Sequence, residues 1–199
     1  MKVYTFPKSR SLRVLWTLEE LRLDYTTCPV DLLSSRPVVS SPHPLRKVPV
    51  LEDEGSLIFE TAAICQYLAE KKGNDEIYPH NPLRKAKVNE WLSFALTDLE
   101  SPVWTLLKHK YLLPENLRSP AVTDTAFHDA CKALTAIIAP NGDWITGEHF
   151  TLADIFLAHT LMWAQLCGLP LNDALNAYVK KCQQRESYSK ALECNNRTV

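Results

Sequence analysis

The chain has 199 residues, 46% of them hydrophobic and 23% charged, with a formal net charge of −1. That composition suits one large folded domain or two small ones sharing an interface, and it leaves no basic field for nucleic acid or an anionic membrane. No apolar run approaches the ~20 residues that cross a bilayer, and Met1 to Pro7 holds no secretory apolar segment, so a cytoplasmic protein with neither a membrane nor a nucleic-acid partner is expected.

Lys2 to Phe6 reads as a first strand, and Ser9 stands where a helix N-cap belongs. From Arg10 onward, Arg10, Arg13, Thr17, Glu20 and Asp24 fall at helical spacing on one polar stripe, and Leu12, Leu15, Trp16, Leu18 and Leu23 fill the rest. Tyr25 to Asp31 returns as a second strand, with Pro29 marking an edge position. Strand, helix, strand at this length is a βαβ unit with right-handed crossover. Ser34 to Arg46 contains Pro37, Pro42 and Pro44 and reads as an irregular loop.

The stretch Lys47 to Thr61 organises the chain. Val48 to Leu51 is a short apolar strand, Glu52-Asp53-Glu54-Gly55 an acidic turn, and Leu57-Ile58-Phe59 the return strand. Glu60-Thr61 opens a run of good helix formers, Ala62 to Lys72, that stops at Gly73. Pro49 removes a ladder donor at the start of a strand, and one good reason for it is a cis bond. Such a bond leaves the Val48 backbone N–H and C=O facing outward, free to pair with an extended peptide. A helix N-terminus at Thr61 offers N–H groups and a hydroxyl to a carboxylate. A strand clamp beside a carboxylate site is what a small acidic peptide requires.

Gly73 to Leu83 reads as a linker. Beyond it, Val88, Trp91, Leu92, Ala95, Leu96, Leu99, Val103, Leu106 and Leu107 recur at three and four, predicting a long amphipathic helix bent near Pro102. Ala121 to Ala139 predicts a second helix, ended by Pro140-Asn141-Gly142. Thr151 to Asp154 outlines a capping box that opens the most apolar helix, Ile155 to Leu166. Shorter helices are expected in Leu171 to Cys182 and Ser187 to Cys194. The expected organisation is an α/β domain over residues 1–75, a linker over 76–83 and an all-helical domain over 84–199.

The middle stretch resembles the glutathione-binding segment of the cytosolic glutathione transferase family. The family pattern Pro-Leu-Gly-Lys-Val-Pro-Val-Leu, an acidic turn, Glu-Ser-Ala-Ala-Ile and Tyr-Leu stands here as Pro44 to Leu51, Glu60-Thr61-Ala62-Ala63-Ile64 and Tyr67-Leu68. Arg46 replaces the usual glycine and Thr61 the commoner serine, which keeps the hydroxyl. The resemblance implies an α/β thioredoxin-like N-terminal domain followed by an all-α C-terminal domain, a homodimer, and a site for glutathione and a hydrophobic electrophile. It resembles the bacterial, serine-type branch, in which a serine stands four residues before an arginine on the first helix, as Ser9 does before Arg13.

A free thiol titrates near ~8.5, so glutathione is mostly protonated at neutral pH. A hydroxyl donating to sulfur at a helix N-terminus stabilises the thiolate. Alone, Ser9 reads as a helix cap; beside the other two segments it reads as the catalytic hydroxyl, with Ser11 the fallback and Tyr4 the family's other option. By the same resemblance, Val48 and Pro49 clamp the peptide, Thr61 holds the γ-glutamyl carboxylate, Glu60 meets the ammonium and Lys47 the glycyl carboxylate. Taken singly, these residues read as helix caps and loop charges. Trp104, Leu107, Lys108 and Tyr111 lie on the long helix where the family builds its second-substrate pocket, and read equally well as core. Thr151 and Asp154 match the family's buried cap and are assigned to folding. Scattered cysteines without a CxxC pair and histidines without metal spacing give no metal. Three functions are weighed: a transferase that conjugates small electrophiles or reduces peroxides, a non-catalytic binding or interaction module, and a glutathione-dependent reductase or isomerase.

Overall fold

The structure is a computed structural model, which describes residues 1–137 and 142–197. Along the chain run β1 (Lys2–Thr5), α1 (Ser11–Leu21), β2 (Thr26–Pro29), β3 (Val50–Asp53), β4 (Ser56–Phe59), α2 (Thr61–Lys72), α3 (Pro82–Phe94), α4 (Glu100–Leu107), α5 (Pro120–Ala136), α6 (Leu152–Leu166), α7 (Asp173–Gln183) and α8 (Glu186–Asn195). They form two compact units, Met1–Pro79 with Gln183–Val199, and His80–Cys182.

The first unit is built on a four-stranded mixed sheet of order β2-β1-β3-β4. β1 is parallel to β2 and antiparallel to β3, and β3 and β4 form a hairpin. The strands are βαβ followed by ββα, the thioredoxin-like order. β2 is an edge strand, the place where the missing N–H of Pro29 costs least. The hairpin turn is Glu54-Gly55, with φ of 49° and 76°. Two left-handed residues make the turn whose twist matches the flanking strands, and glycine is the residue that adopts it without strain. β3 starts at Val50 rather than Val48, so Pro49 stands just outside the ladder and deprives it of no donor.

α1 is buried along nearly its whole length, with Val14, Leu15, Trp16 and Leu18 fully enclosed. The polar stripe read from the sequence does not form the solvated face. Arg13 and Thr17 are completely buried, and the Thr17 hydroxyl donates to the Arg13 carbonyl (2.8 Å) and meets Cys65 Sγ on α2 (3.3 Å). Burial pushes the Cys65 thiol up to about 12. α8, expected with the helical segment 84–199, packs instead on α1. α2 ends where the sequence places its stop, at Gly73 with φ 70°.

In the second unit, Asn81 Oδ1 accepts from Leu83 N and Arg84 N (both 3.1 Å) and caps α3, with Pro82 in the first turn. The long helix is not uniform: Ala95–Leu99 and Lys108–Leu112 are π-helical turns on either side of α4. Pro102 explains the first. It has no N–H, and its ring would meet the carbonyl of Asp98 in a regular α-helix, so the ladder widens one turn earlier. α5 ends at Ala136, and the expected helix end Ala139 and breakers Pro140 and Asn141 lie outside the described residues. α6 carries the capping box in full. Asp154 is completely buried and accepts from Thr151 N (2.8 Å), Thr151 Oγ1 (3.0 Å), Ile145 N (2.9 Å) and Tyr178 Oη (2.7 Å). Burial pushes its carboxyl up, against these four bonds, which favour the carboxylate.

Candidate functional site

The register brings three of the singled-out segments together. Val50 pairs with Tyr4 on one side and Phe59 on the other, so the exits of β1 and β4 and the entrance of β3 lie side by side. From that edge the chain leaves β1 through Phe6 to Ser9, enters β3 through Val48-Pro49, and leaves β4 into Glu60-Thr61. Open sheets place their ligands beyond such strand ends. The acidic turn lies at the far end of the hairpin. There Glu52 pairs with Lys2 (2.7 Å) and Lys71 with Asp53 (2.5 Å), so those charges are structural.

Two helix N-termini open at this edge, with Arg10 preceding α1 and Glu60 preceding α2, and neither of these two residues caps its helix with its own side chain. At α1 the N–H groups of Ser11, Leu12 and Arg13 bond Ser9 Oγ (3.1 Å), Ser9 O (3.3 Å) and Arg10 O (3.1 Å), so an anion there meets the positive end of the helix dipole rather than free donors. Ser9 is not the N-cap expected from the sequence; it stands one residue ahead of it. Its hydroxyl donates to Phe6 O (2.6 Å), lies 2.9 Å from Ser11 Oγ and accepts from Ser11 N (3.1 Å). Ser11 is fully buried, and its Oγ accepts from Phe6 N (3.4 Å), which ties the helix start to the strand exit. Tyr4 is committed elsewhere, its hydroxyl donating to Glu52 (2.9 Å).

The Val48–Pro49 peptide is cis, in line with the strand-opening proline, and Val48 lies outside the β3 ladder. Arg46, where the resembling family has glycine, adopts φ 53°. That is the left-handed region, which explains the glycine preference and costs a non-glycine residue about 1–2 kcal/mol. The loop is held by the Ser41 hydroxyl, which donates to the Lys47 carbonyl and accepts from His43 N (3.1 Å). Lys47 itself is exposed.

Glu60 has φ 69° and ψ 121°, a sparsely populated conformation for a residue with a Cβ. Its side chain is 74% exposed and aimed out of the fold, while Thr61 behind it is buried. The sequence assigns no role to any histidine, yet His43 belongs to this edge. It is buried, its Nδ1 accepts from Leu45 N (2.9 Å), and its ring packs edge-on against Phe59 (4.9 Å). That bond leaves the proton on Nε2, which faces Glu60 Oε1 at 3.9 Å. No spacing signal points to His43; the fold makes the pairing.

In the helical unit, Trp104 stacks on Trp163 (5.6 Å) and Leu107 is buried. Tyr111 is exposed, with its hydroxyl donating to Leu166 O (3.1 Å). Among the described residues no three His, Cys, Asp or Glu side chains are grouped as metal ligands, and no helix is long and apolar enough to cross a membrane.

The class so defined is a thioredoxin-like α/β unit with a cis-proline turn and two helix starts at one sheet edge, followed by a helical unit. Residues 3–76 match the glutathione S-transferase N-terminal domain and residues 120–181 the glutathione S-transferase C-terminal domain. The chain belongs to the glutathione S-transferase family. It is 28% identical over 200 residues to glutathione S-transferase GstA of Escherichia coli O157:H7, covering 96% of this chain and 97% of that one. It is 29% identical over 181 residues to a maleylacetoacetate isomerase of Pseudomonas aeruginosa, covering 86% of this chain and 85% of that one. A sphingomonad glutathione S-transferase solved with glutathione superposes with a TM-score of 0.85 at 25% identity, over 98% of each chain.

Proposed function

We propose that the chain is a glutathione transferase in which Ser9 stabilises the glutathione thiolate for attack on a small electrophilic carbon or a peroxide oxygen. The observation that carries this reading is the register Tyr4–Val50–Phe59, which sets Ser9, the cis Val48–Pro49 turn and Glu60-Thr61 along one sheet edge. Relatives that bear the glutathione transferase name, one of them solved with glutathione, support the co-substrate.

Glutathione lies extended along this edge, its cysteinyl backbone paired with Val48. The γ-glutamyl carboxylate meets the uncapped start of α2 and the Thr61 hydroxyl, and its ammonium meets Glu60. Lys47 reaches the glycyl carboxylate. This pose sets the sulfur at the start of α1. There the Ser9 proton turns from Phe6 O to the sulfur, and the helix start favours the anion by up to about 2 kcal/mol. A depression of the thiol pKa by one to two units results, at about 1.4 kcal/mol per unit. The electrophile takes the aromatic side of the helical unit around Trp104, Leu107 and Tyr111. A cytoplasmic homodimer belongs to the same reading, and the exposed Leu57 and Phe59 on edge strand β4 suit a subunit contact.

A second reading, glutathione-dependent isomerisation, draws on the isomerase relative. It uses the same thiolate and differs only in the second substrate.

The test is the ultraviolet absorbance of bound glutathione thiolate against pH, in the natural protein and in Ser9→Ala. We expect the natural protein to titrate one to two units below free glutathione, and Ser9→Ala to lose most of that shift and about tenfold or more in turnover. Glutathione that binds with an unshifted thiol in both proteins would leave the clamp and remove the chemistry, making the chain a binding module.

A further inference from the structure

We infer that Asn195, at the C-terminal end of α8, is a positioning residue for the Ser9 turn: its amide spans Phe6 and Lys8 and keeps the Phe6 carbonyl satisfied when the Ser9 hydroxyl turns to a thiol. The second part rests on the thiol-activating role proposed for Ser9.

Asn195 is 1% exposed, deep inside the first unit. With its amide nitrogen toward the strand exit, Nδ2 donates to Phe6 O (3.3 Å) and Oδ1 accepts from Lys8 N (3.3 Å). Phe6 O is the same oxygen that takes the Ser9 hydroxyl at 2.6 Å. A carbonyl has two lone pairs, so both donors fit at once. Lys8 between them has φ 55°, a left-handed conformation that a lysine does not hold by itself. The Asn195 Oδ1 contact to Lys8 N supplies a reason for that turn, and the turn decides where Ser9 Oγ points.

Ser9 has one hydroxyl proton. Delivering it to a sulfur takes it from Phe6 O, and a carbonyl stripped of its only donor in a half-buried loop resists that exchange. The Asn195 amide remains on Phe6 O throughout, so the rotation orphans nothing. α8 is fixed well enough to do this. Arg185 and Ser187 at its start bind Glu20 on α1, and Tyr188 packs edge-on against Trp16 (ring centroids 4.9 Å).

The experiment compares the natural protein with Asn195→Ala and Asn195→Asp, by amide hydrogen exchange at Lys8 without glutathione, glutathione affinity, and the thiol pKa of bound glutathione. Asn195→Ala should speed Lys8 exchange at least about tenfold and raise the bound thiol pKa by about one unit, a tenfold loss of thiolate below it, with affinity held within about twofold. The Asn195→Asp carboxylate still accepts from Lys8 N and has no proton for Phe6 O. It should keep Lys8 protected yet lose the pKa depression, a separation that a residue merely filling space would not produce. Unchanged Lys8 exchange in Asn195→Ala overturns the inference, as does one common depressed thiol pKa in all three proteins. If the natural protein shows no depressed thiol pKa, the Ser9 reading fails by itself. Lys8 exchange then decides alone, its loss of protection in Asn195→Ala supporting the hold on the turn and unchanged protection overturning it.

Discussion

Arg185 grips Glu20 with two nitrogens, Nε 2.5 Å from Oε1 and Nη2 2.7 Å from Oε2, across 165 positions of sequence. Ser187 Oγ donates to the same carboxylate (2.5 Å), and so does Trp16 Nε1 (3.2 Å). The Glu20 side chain is 7% exposed and that of Arg185 31%. Glu20→Ala therefore strands several donors. We expect a loss of about 2–3 kcal/mol, below the 3–5 of a fully buried broken pair because Arg185 recovers water. Thermal unfolding with limited proteolysis reads it out: a lower melting temperature with early cleavage near α8. A melting curve that does not move would show that the clasp adds nothing to α8 docking.

Thr61→Val keeps the shape of a buried residue at the first position of α2 and removes only the hydroxyl. We expect glutathione to bind about tenfold more weakly, roughly 1.4 kcal/mol, with a melting temperature close to that of the natural protein. Calorimetry on both proteins measures the difference. Equal affinity would take Thr61 out of the site and leave it as a buried residue of the first turn of α2.

Four donors converge on Asp154, and Asp154→Ala leaves the buried Ile145 and Thr151 N–H groups without their acceptor inside the helical unit. A cost of about 3 kcal/mol and lower soluble yield are expected. Tyr178→Phe withdraws one donor and should cost about 1 kcal/mol, since the partner carboxylate keeps three others. Chemical denaturation of the two variants should rank them in that order. An Asp154→Ala protein as stable as the natural one would refute the folding assignment.

Lys71, then the Tyr67 hydroxyl (2.8 Å), hold the Asp53 carboxyl below the usual carboxylate range, and the cluster pins the hairpin turn to α2. Because the folded pKa is depressed, the unfolded chain takes up the proton first on acidification. The contribution is present above the unfolded value near ~3.9 and fades as pH falls through the folded one. Melting temperature followed downward from about pH 5 should drop less steeply in Asp53→Asn than in the natural protein, and added salt should narrow the gap, because Lys71 is partly exposed. Parallel curves would mean that the cluster contributes no pH dependence.

The strand, turn and helix pattern over residues 47–73 was legible because each signal is local. A proline opening an apolar run, a glutamate-glycine turn and a glycine after good helix formers each constrain their own backbone. The Thr151–Asp154 box was legible for the same reason, its partners being three residues apart. The candidate site was legible in its residue types, since Ser9, Val48-Pro49 and Glu60-Thr61 suit a peptide thiol with a carboxylate end, and their register on one sheet edge accords with that reading.

What the sequence alone determined, then, is the order of elements, the family resemblance and the caps that neighbouring residues can complete between themselves. Only the tertiary structure decided that Arg13 and Thr17 on the polar stripe of α1 are buried, that α8 returns to the first unit, that Ser9 stands outside the cap, and that His43 and Asn195 face Glu60 and the Ser9 turn. Each of these depends on groups distant in sequence or on a backbone direction that residue type does not fix. A buried arginine, histidine or asparagine reads as a solvated side chain until the fold brings its partner to it.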